Sequence, residues 1–155
     1  MVHHRNRFLT IKLEWGDGKP PASVSASDIM SHVRAAIVDL HGDSGMGCVT
    51  PSLSVRFHDV FTNVCILRVD REFAQVLRTS VAVVTLITQF PVRMRVMHMA
   101  GSMRKCKRIA IAVMDAHLAS VVRGFDEGPI PSLRESENAR EKHRLAIASL
   151  QATQL

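Results

Sequence analysis

Aromatic side chains are scarce. They are 5% of 155 residues, with one tryptophan and no tyrosine. That argues against a sheet surface that stacks bases, which depends on aromatic platforms. Cysteine is also rare. Cys48, Cys65 and Cys106 are odd in number and far apart. This excludes a disulfide framework and fits a reducing compartment. Each is expected to pack as a small apolar side chain. No run approaches the 18 apolar residues of a membrane span. The opening Met-Val-His-His-Arg-Asn-Arg lacks the apolar centre of a signal peptide. An intracellular, soluble protein is expected. The spacings His-x3-His, Cys-x2-Cys and His-Glu-x-x-His are missing, so no metal site is expected. Clustered carboxylates that would hold Mg2+ are missing too, which argues against an autonomous nuclease.

Positive charge is what the chain has in excess. Net charge is +6 and the pI is near 9.9. Such a balance points to an anionic partner, either nucleic acid or a membrane surface. The excess sits in residues 1–123, with 16 Lys/Arg against 9 Asp/Glu, whereas residues 124–155 hold 4 against 5. A hydrophobic fraction of 46% is enough for one core. The expected organisation is a single α+β domain over 1–123. A polar extension over 124–155 follows, as a short helix (through "REKHRLAIASLQ") or disordered.

Periodicity gives the elements. "RFLTIKLEW" (7–15) alternates, with Leu9, Ile11, Leu13 and Trp15 on one face, as in a half-buried strand. "GDGKPPASVSAS" reads as a loop. From Asp28, the residues Ile29, Val33, Ala36, Ile37 and Leu40 share a helical face, with Ser25 or Ser27 as cap and Gly42 as stop. "GDSGMG" (42–47) reads as an irregular turn. "SLSVRFH" and "VCILRV" read as a hairpin across "DVFTN". Asp70 is expected to cap a second helix, "REFAQVLRTSVAVVTLITQ", ended by Pro91. "VRMRVMHM" is the fourth strand. The order β-α-β-β-α-β predicts a ferredoxin-like, RNA-recognition-like sandwich: an antiparallel sheet with two helices on one face. An additional helix follows at 103–123. Its apolar stripe includes Cys106, Ile109, Ala110, Val113, Met114 and His117, and it must cover the sheet or dock a partner.

Three features bear on chemistry. In "HMAGSMRKCKR", a strand meets Gly101 and feeds a helix. Arg104, Lys105, Lys107 and Arg108 place four cations in its first turns. Cations oppose the helix dipole there. An external anion at the unpaired amides, typically phosphate, would resolve the conflict; the competing reading is a solvated cationic face. The segment is not a P-loop. The second feature is the polar sheet face, on which Lys12, Arg56, His58, Arg68, Arg93 and Arg95 are expected to stand in register. Like charges opposite each other cost stability unless an anion or a covering helix meets them. The third is the basic arm "HHRNR". His98, between Met97 and Met99, reads as a packed histidine. Asp39, His41, Asp43 and Ser44 read as a cap and turn. No catalytic constellation stands out.

In this order the pieces resemble a known family, the small basic protein subunit of ribonuclease P and ribonuclease MRP of the Pop-five type. "NRFLTIKLEW" resembles its first strand, and "VRAAIVDLHGDSGMG" its first helix and His-Gly-Asp-x-Gly turn. "LSVRFHD" and "CILRVDRE" resemble its hairpin and Arg-x-x-Arg-Glu segment. "VMHMAGSMRKC" resembles its Val-Ser-Gly-Thr-Ile-Arg-Lys segment. The likeness runs from about residue 2 to 123. Asn63 stands at a usual glycine, Ala100 at a serine, Ser102-Met103 at Thr-Ile, and His3-His4 at Arg-Phe.

The resemblance implies a non-catalytic RNA-binding subunit. It would stabilise a catalytic RNA that removes the 5′ leader of precursor tRNA, or cleaves precursor rRNA in the MRP particle. No cofactor is expected on this chain, and Mg2+ is expected at the partner RNA. The other implied partner is a barrel-shaped protein subunit. The implied site is the nucleus or nucleolus for a eukaryotic chain, the cytoplasm for an archaeal one. Carried over as RNA contacts are Arg5, Arg7, Arg68, Gly101, Ser102, Arg104 and Lys105. Arg56 on the sheet, and Lys107 and Arg108 on the basic helix, complete the candidate set. The competing reading is a ferredoxin-like protein-interaction or regulatory module with an incidental basic surface.

Overall fold

The computed structural model describes residues 5–18, 21–126 and 133–153. Strand β1 (Asn6–Trp15) buries Leu9, Ile11 and Leu13 on the face that alternation predicts. The opposite face departs from the expected half-burial, since Phe8 and Thr10 are buried as well. Both faces of this central strand are covered.

Helix α1 (Ala26–Val49) starts at a capping box. Asp28 N donates to Ser25 Oγ at 3.2 Å, and Ser25 N donates to the Asp28 carboxylate at 2.8 Å. Gly42 breaks the helical path at φ 68°, where glycine is the favoured residue, but helical geometry then resumes to Val49. The expected irregular turn over 42–47 is therefore a kink followed by more helix.

Strands β2 (Ser54–Asp59) and β3 (Val64–Asp70) form the expected hairpin. Thr62 donates from both N and Oγ1 to Asp59 Oδ2, each at 2.7 Å. Asn63 takes a left-handed backbone (φ 57°), which asparagine tolerates in place of glycine. Its Oδ1 accepts from Trp15 Nε1 at 2.8 Å, which ties the turn to β1.

The second helix is shorter than expected. Asp70 precedes a 3-10 turn (Arg71–Phe73), and α2 (Ala74–Val83) then stops. The β-branched continuation becomes β4 (Leu86–Ile87), which turns at Thr88 (φ 58°) and pairs with the start of β5 (Phe90–Ala100). Stiff β-branched side chains favour the sheet here over the helix. Pro91 ends no helix. It lies within β5 at the sheet margin, where proline is tolerated.

The sheet order is β2-β3-β1-β5-β4, with antiparallel neighbours. This is the ferredoxin-like arrangement with one short strand added. One core joins Leu9, Ile11, Leu13 and Leu67 to Ile29, Val33 and Ile37 of α1 and Leu77 and Val81 of α2. The second core lies on the other face. There α3 (Met103–Asp126) lays Met103, Cys106, Ala110 and Met114 against Phe8, Val64 and Ile66. Thr10 Oγ1 and Cys106 Sγ share a hydrogen bond at 3.0 Å. The apolar stripe of α3 thus covers the sheet.

The C-terminal segment, expected as a polar extension, contains the 20-residue helix α4 (Leu133–Ala152). Ala139, His143, Ala146 and Leu150 recur at helical spacing and are buried. His143 Nε2 meets Asp115 Oδ1 of α3 at 2.9 Å. Lys107 Nζ donates to the carbonyls of Gln151 (2.9 Å) and Thr153 (2.5 Å), a cation at the negative end of α4. Among the described residues no helix is long and apolar enough to cross a membrane.

Two measurements test this packing. Leu150→Ala is expected to cost about 2–5 kcal/mol in urea unfolding. Leu145→Ala, at a side chain 59% exposed, is expected to stay within about 0.5 kcal/mol. Equal small effects would remove α4 from the cooperative unit. The cysteines differ as well. Cys48 is exposed, contrary to the packing expected for it, whereas burial pushes the Cys65 thiol up to about 12 and also raises Cys106. At pH 8 a thiol reagent should modify Cys48 alone in the native chain, and all three after denaturation. Rapid native labelling of Cys65 would contradict the buried assignment.

Candidate nucleic-acid interface

Register brings the candidate residues to one end of the sheet. Phe8 of β1 stands opposite both Arg68 of β3 and Ala100 of β5. Two residues separate β5 from α3, namely Gly101 and Ser102. Ser102 starts the helix, its Oγ accepting from Lys105 N at 3.4 Å and its carbonyl from Cys106 N at 3.1 Å. The remaining first-turn amides have no intrahelical acceptor. On the other side Arg71 N donates to Arg5 O at 2.7 Å, so the 3-10 turn carries Arg71 beside the entry of β1.

These pieces enclose a cleft of about 740 Å3. Arg5, Arg7, Arg68 and Arg71 line it, together with Asn6, Gly101 and Ser102, over an apolar floor of Phe8 and Met103. Among the described residues no carboxylate is in the lining. The Arg7 guanidinium packs on Gly101, where an added Cβ would lie 3.1 Å from Nη1. Arg7 Nη1 also donates to Asn6 O at 3.2 Å. Arg68 Nε and Asn6 Oδ1 are buried without a partner. A buried unpaired donor in a cationic lining marks a place where an external acceptor is favourable.

Five of the ten sequence candidates line the cleft: Arg5, Arg7, Arg68, Gly101 and Ser102. Arg104, Lys105 and Arg108 are exposed on α3 next to it. Lys107 is turned to the end of α4. Arg56 lies at a β2 bulge, half-buried, outside the lining. Sequence reading missed Arg71, although the Arg-x-x-Arg spacing of Arg68 and Arg71 was its signal. His3 and His4 of the basic arm lie outside the described residues.

The second candidate surface is kept in part: Arg68 stands opposite Phe8, Arg95 opposite Lys12 and Arg93 opposite Glu14, on one face of the sheet. The β2 bulge shifts the register, so His58 pairs with Cys65 and leaves the face shared by Phe57 and Ile66. Burial lowers the pKa of His58. Burial, and then the Lys12 ammonium, lower that of His117. Both imidazoles are therefore neutral at pH 7. His98 is half-buried with Nε2 occluded and unpartnered. Phe8 and Phe57 lie in the second core, so this sheet does not present them to bases. Among the described residues no group of three His, Cys, Asp or Glu side chains is placed to hold a metal ion.

Comparison with known proteins identifies relatives of the chain. The family described as Rpp14/Pop5 matches residues 7–111. A Dictyostelium discoideum protein named as a probable ribonuclease P/MRP protein subunit POP5 is 24% identical over 119 residues, 77% of this chain and 70% of that one. The Homo sapiens ribonuclease P/MRP protein subunit POP5 is 24% identical over 141 residues, 88% of this chain and 86% of that one. The Schizosaccharomyces pombe subunit of that name is 25% identical over 120 residues, 72% and 86% respectively. A chain in a cryo-EM structure of yeast ribonuclease MRP shares the fold, with TM-score 0.55 and 13% identity over 67% of this chain and 79% of that chain. The arginines and the Gly101–Ser102 turn that build the cleft fall almost wholly within the matched span, and the chain belongs to the Rpp14/Pop5 family.

Proposed function

We propose that this chain is a non-catalytic, RNA-binding protein subunit of ribonuclease P, of ribonuclease MRP, or of both, and that its cleft seats the backbone of the particle's RNA. The observation that carries the reading is the cleft itself. Four guanidiniums and a helix N-terminus converge on a space with no carboxylate among its described lining residues. A phosphodiester meets that demand, because guanidinium forks and backbone amides both donate to phosphate oxygens. The names of the relatives support the assignment to this particle.

In this reading the RNA performs the cleavage and holds Mg2+, and this chain fixes the RNA's shape. The particle removes the 5′ leader of precursor tRNA, or cuts precursor rRNA in its MRP form. A barrel-shaped subunit is the protein partner, and the nucleus or nucleolus is the place of work. These finer points rest on the family resemblance.

Phosphate contacts make affinity fall with salt, by about 0.7–0.9 in log–log slope for each phosphate neutralised. Arg68→Ala combined with Arg71→Ala is expected to flatten that slope by about 1.4–1.8 and weaken binding of the particle's RNA. An unchanged slope and affinity would remove these arginines from the interface. The direct test is an affinity pull-down of the tagged chain from its own cells. One abundant structured RNA, with 5′-leader cleavage activity in the eluate, is the expected result. A protein partner without enriched RNA or activity would overturn the reading.

A further inference from the structure

The second sheet face is covered unevenly. The cluster beneath α3 and α4 draws Phe8 from β1, Val64 and Ile66 from β3 and Phe57 from β2, but from β5 it takes only Ala100. Further along β5, Arg93 and Arg95 are exposed, and Met97 is 39% exposed. Past Pro91 no strand pairs with the outer edge of β5 among the described residues, because β4 spans only Leu86–Ile87. The exposed strip of the outer strand therefore covers Arg93, Arg95 and Met97, with half-buried His98 and Met99 and buried Ala100 between it and the Gly101 turn.

Its charge is poorly balanced. Lys12 stands directly opposite Arg95 in the β1–β5 register, and Glu14 opposite Arg93. Like charges opposite each other destabilise a sheet. Glu14 is the one carboxylate in these four pairing positions, and its Oε1 lies 3.8 Å from Arg95 Nη1, a loose contact at exposed side chains. In these four positions cations outnumber carboxylates by two. Arg93 is eight residues from Gly101, which at strand rise is roughly 25 Å. That span fits a strand of several nucleotides, as in known single-strand grooves.

We infer that Lys12, Arg93 and Arg95 form a second phosphate-contact station, along which the RNA strand that enters the arginine cleft continues. The inference rests on the RNA-binding reading above. Phosphates belong there because the strip offers cations without aromatic platforms, so contact is to backbone rather than to bases.

The test is fluorescence anisotropy with the full chain and oligouridylates from about 3 to about 12 nucleotides, at two salt concentrations. In the wild-type chain, affinity should rise with length, about tenfold across the ladder. In Arg93→Gln/Arg95→Gln that gain should collapse, and the salt slope for the longest oligomer should fall by about 1.4, two single-strand contacts. Arg34→Gln/Arg78→Gln removes equal charge from exposed positions on α1 and α2 and should keep the gain. If the strip variant keeps the full gain, the second station is wrong and the cleft stands. If polyglutamate displaces the longest oligomer from the strip as well as unlabelled RNA does, the strip is a site for acidic protein. If the wild-type chain binds no oligomer and the particle's RNA shows no salt-dependent affinity, the RNA reading itself fails.

Discussion

The structure depends on the apolar second face of its sheet. An ordinary two-layer sandwich leaves one face to water. Here Phe8, Phe57, Val64 and Ile66 make that face apolar, and each large side chain left bare would forgo roughly 1.5–3 kcal/mol of burial. Covering it requires another layer, so α3 must begin where β5 ends. The Gly101–Ser102 turn then follows directly from Ala100, which stands opposite Phe8. The N-terminus of α3 is thereby carried to the entry of β1, among Arg5, Arg7, Arg68 and Arg71. The arginine-lined cleft is thus a geometric consequence of closing the core.

Electrostatics then separate two kinds of cation on one helix. Within five residues of α3, Lys107 turns to the carbonyls that end α4, where a cation is favourable. Arg104, Lys105 and Arg108 stay exposed at the end where the dipole disfavours them. A helix-dipole term is about 0.3–1 kcal/mol per charge. The penalty is small enough for the fold to carry, yet its sign is what a phosphate would reverse. Arg7 adds to this by lying on Gly101, the residue whose missing Cβ leaves room for it.

Much of this was legible in the sequence. Alternation in 7–15, and the helical pattern from Asp28 with a serine (Ser25 or Ser27) ahead of it, pointed to their elements, because each depends on local spacing alone; that Ser25 and Asp28 close a capping box is seen only in the structure. The cleft was half visible, since Gly101, Ser102 and the flanking arginines are close in sequence or in the family pattern. Three readings failed for want of tertiary information. The run after Val83 has helical length but β-branched chemistry, and only pairing with Phe90 and Pro91 decides it. His58 looked coplanar with Arg56 until the β2 bulge shifted its register. The buried stripe of α4 is Ala139, His143, Ala146 and Leu150, too weakly apolar to stand out in a polar segment.

The same covering layer limits what kind of RNA contact the fold can make. A four-stranded sheet with an open face binds RNA by stacking bases on its central strands. Here the central strands lie under α3, and Phe8 and Phe57 hold the core together. What the covering layer leaves open is the rim: a cleft of guanidiniums at one end, exposed cations on α3, and the margin at β5. A rim of that kind recognises backbone and shape more than sequence. Such recognition suits a protein that steadies one large folded RNA, because the RNA's own fold already specifies where its phosphates lie.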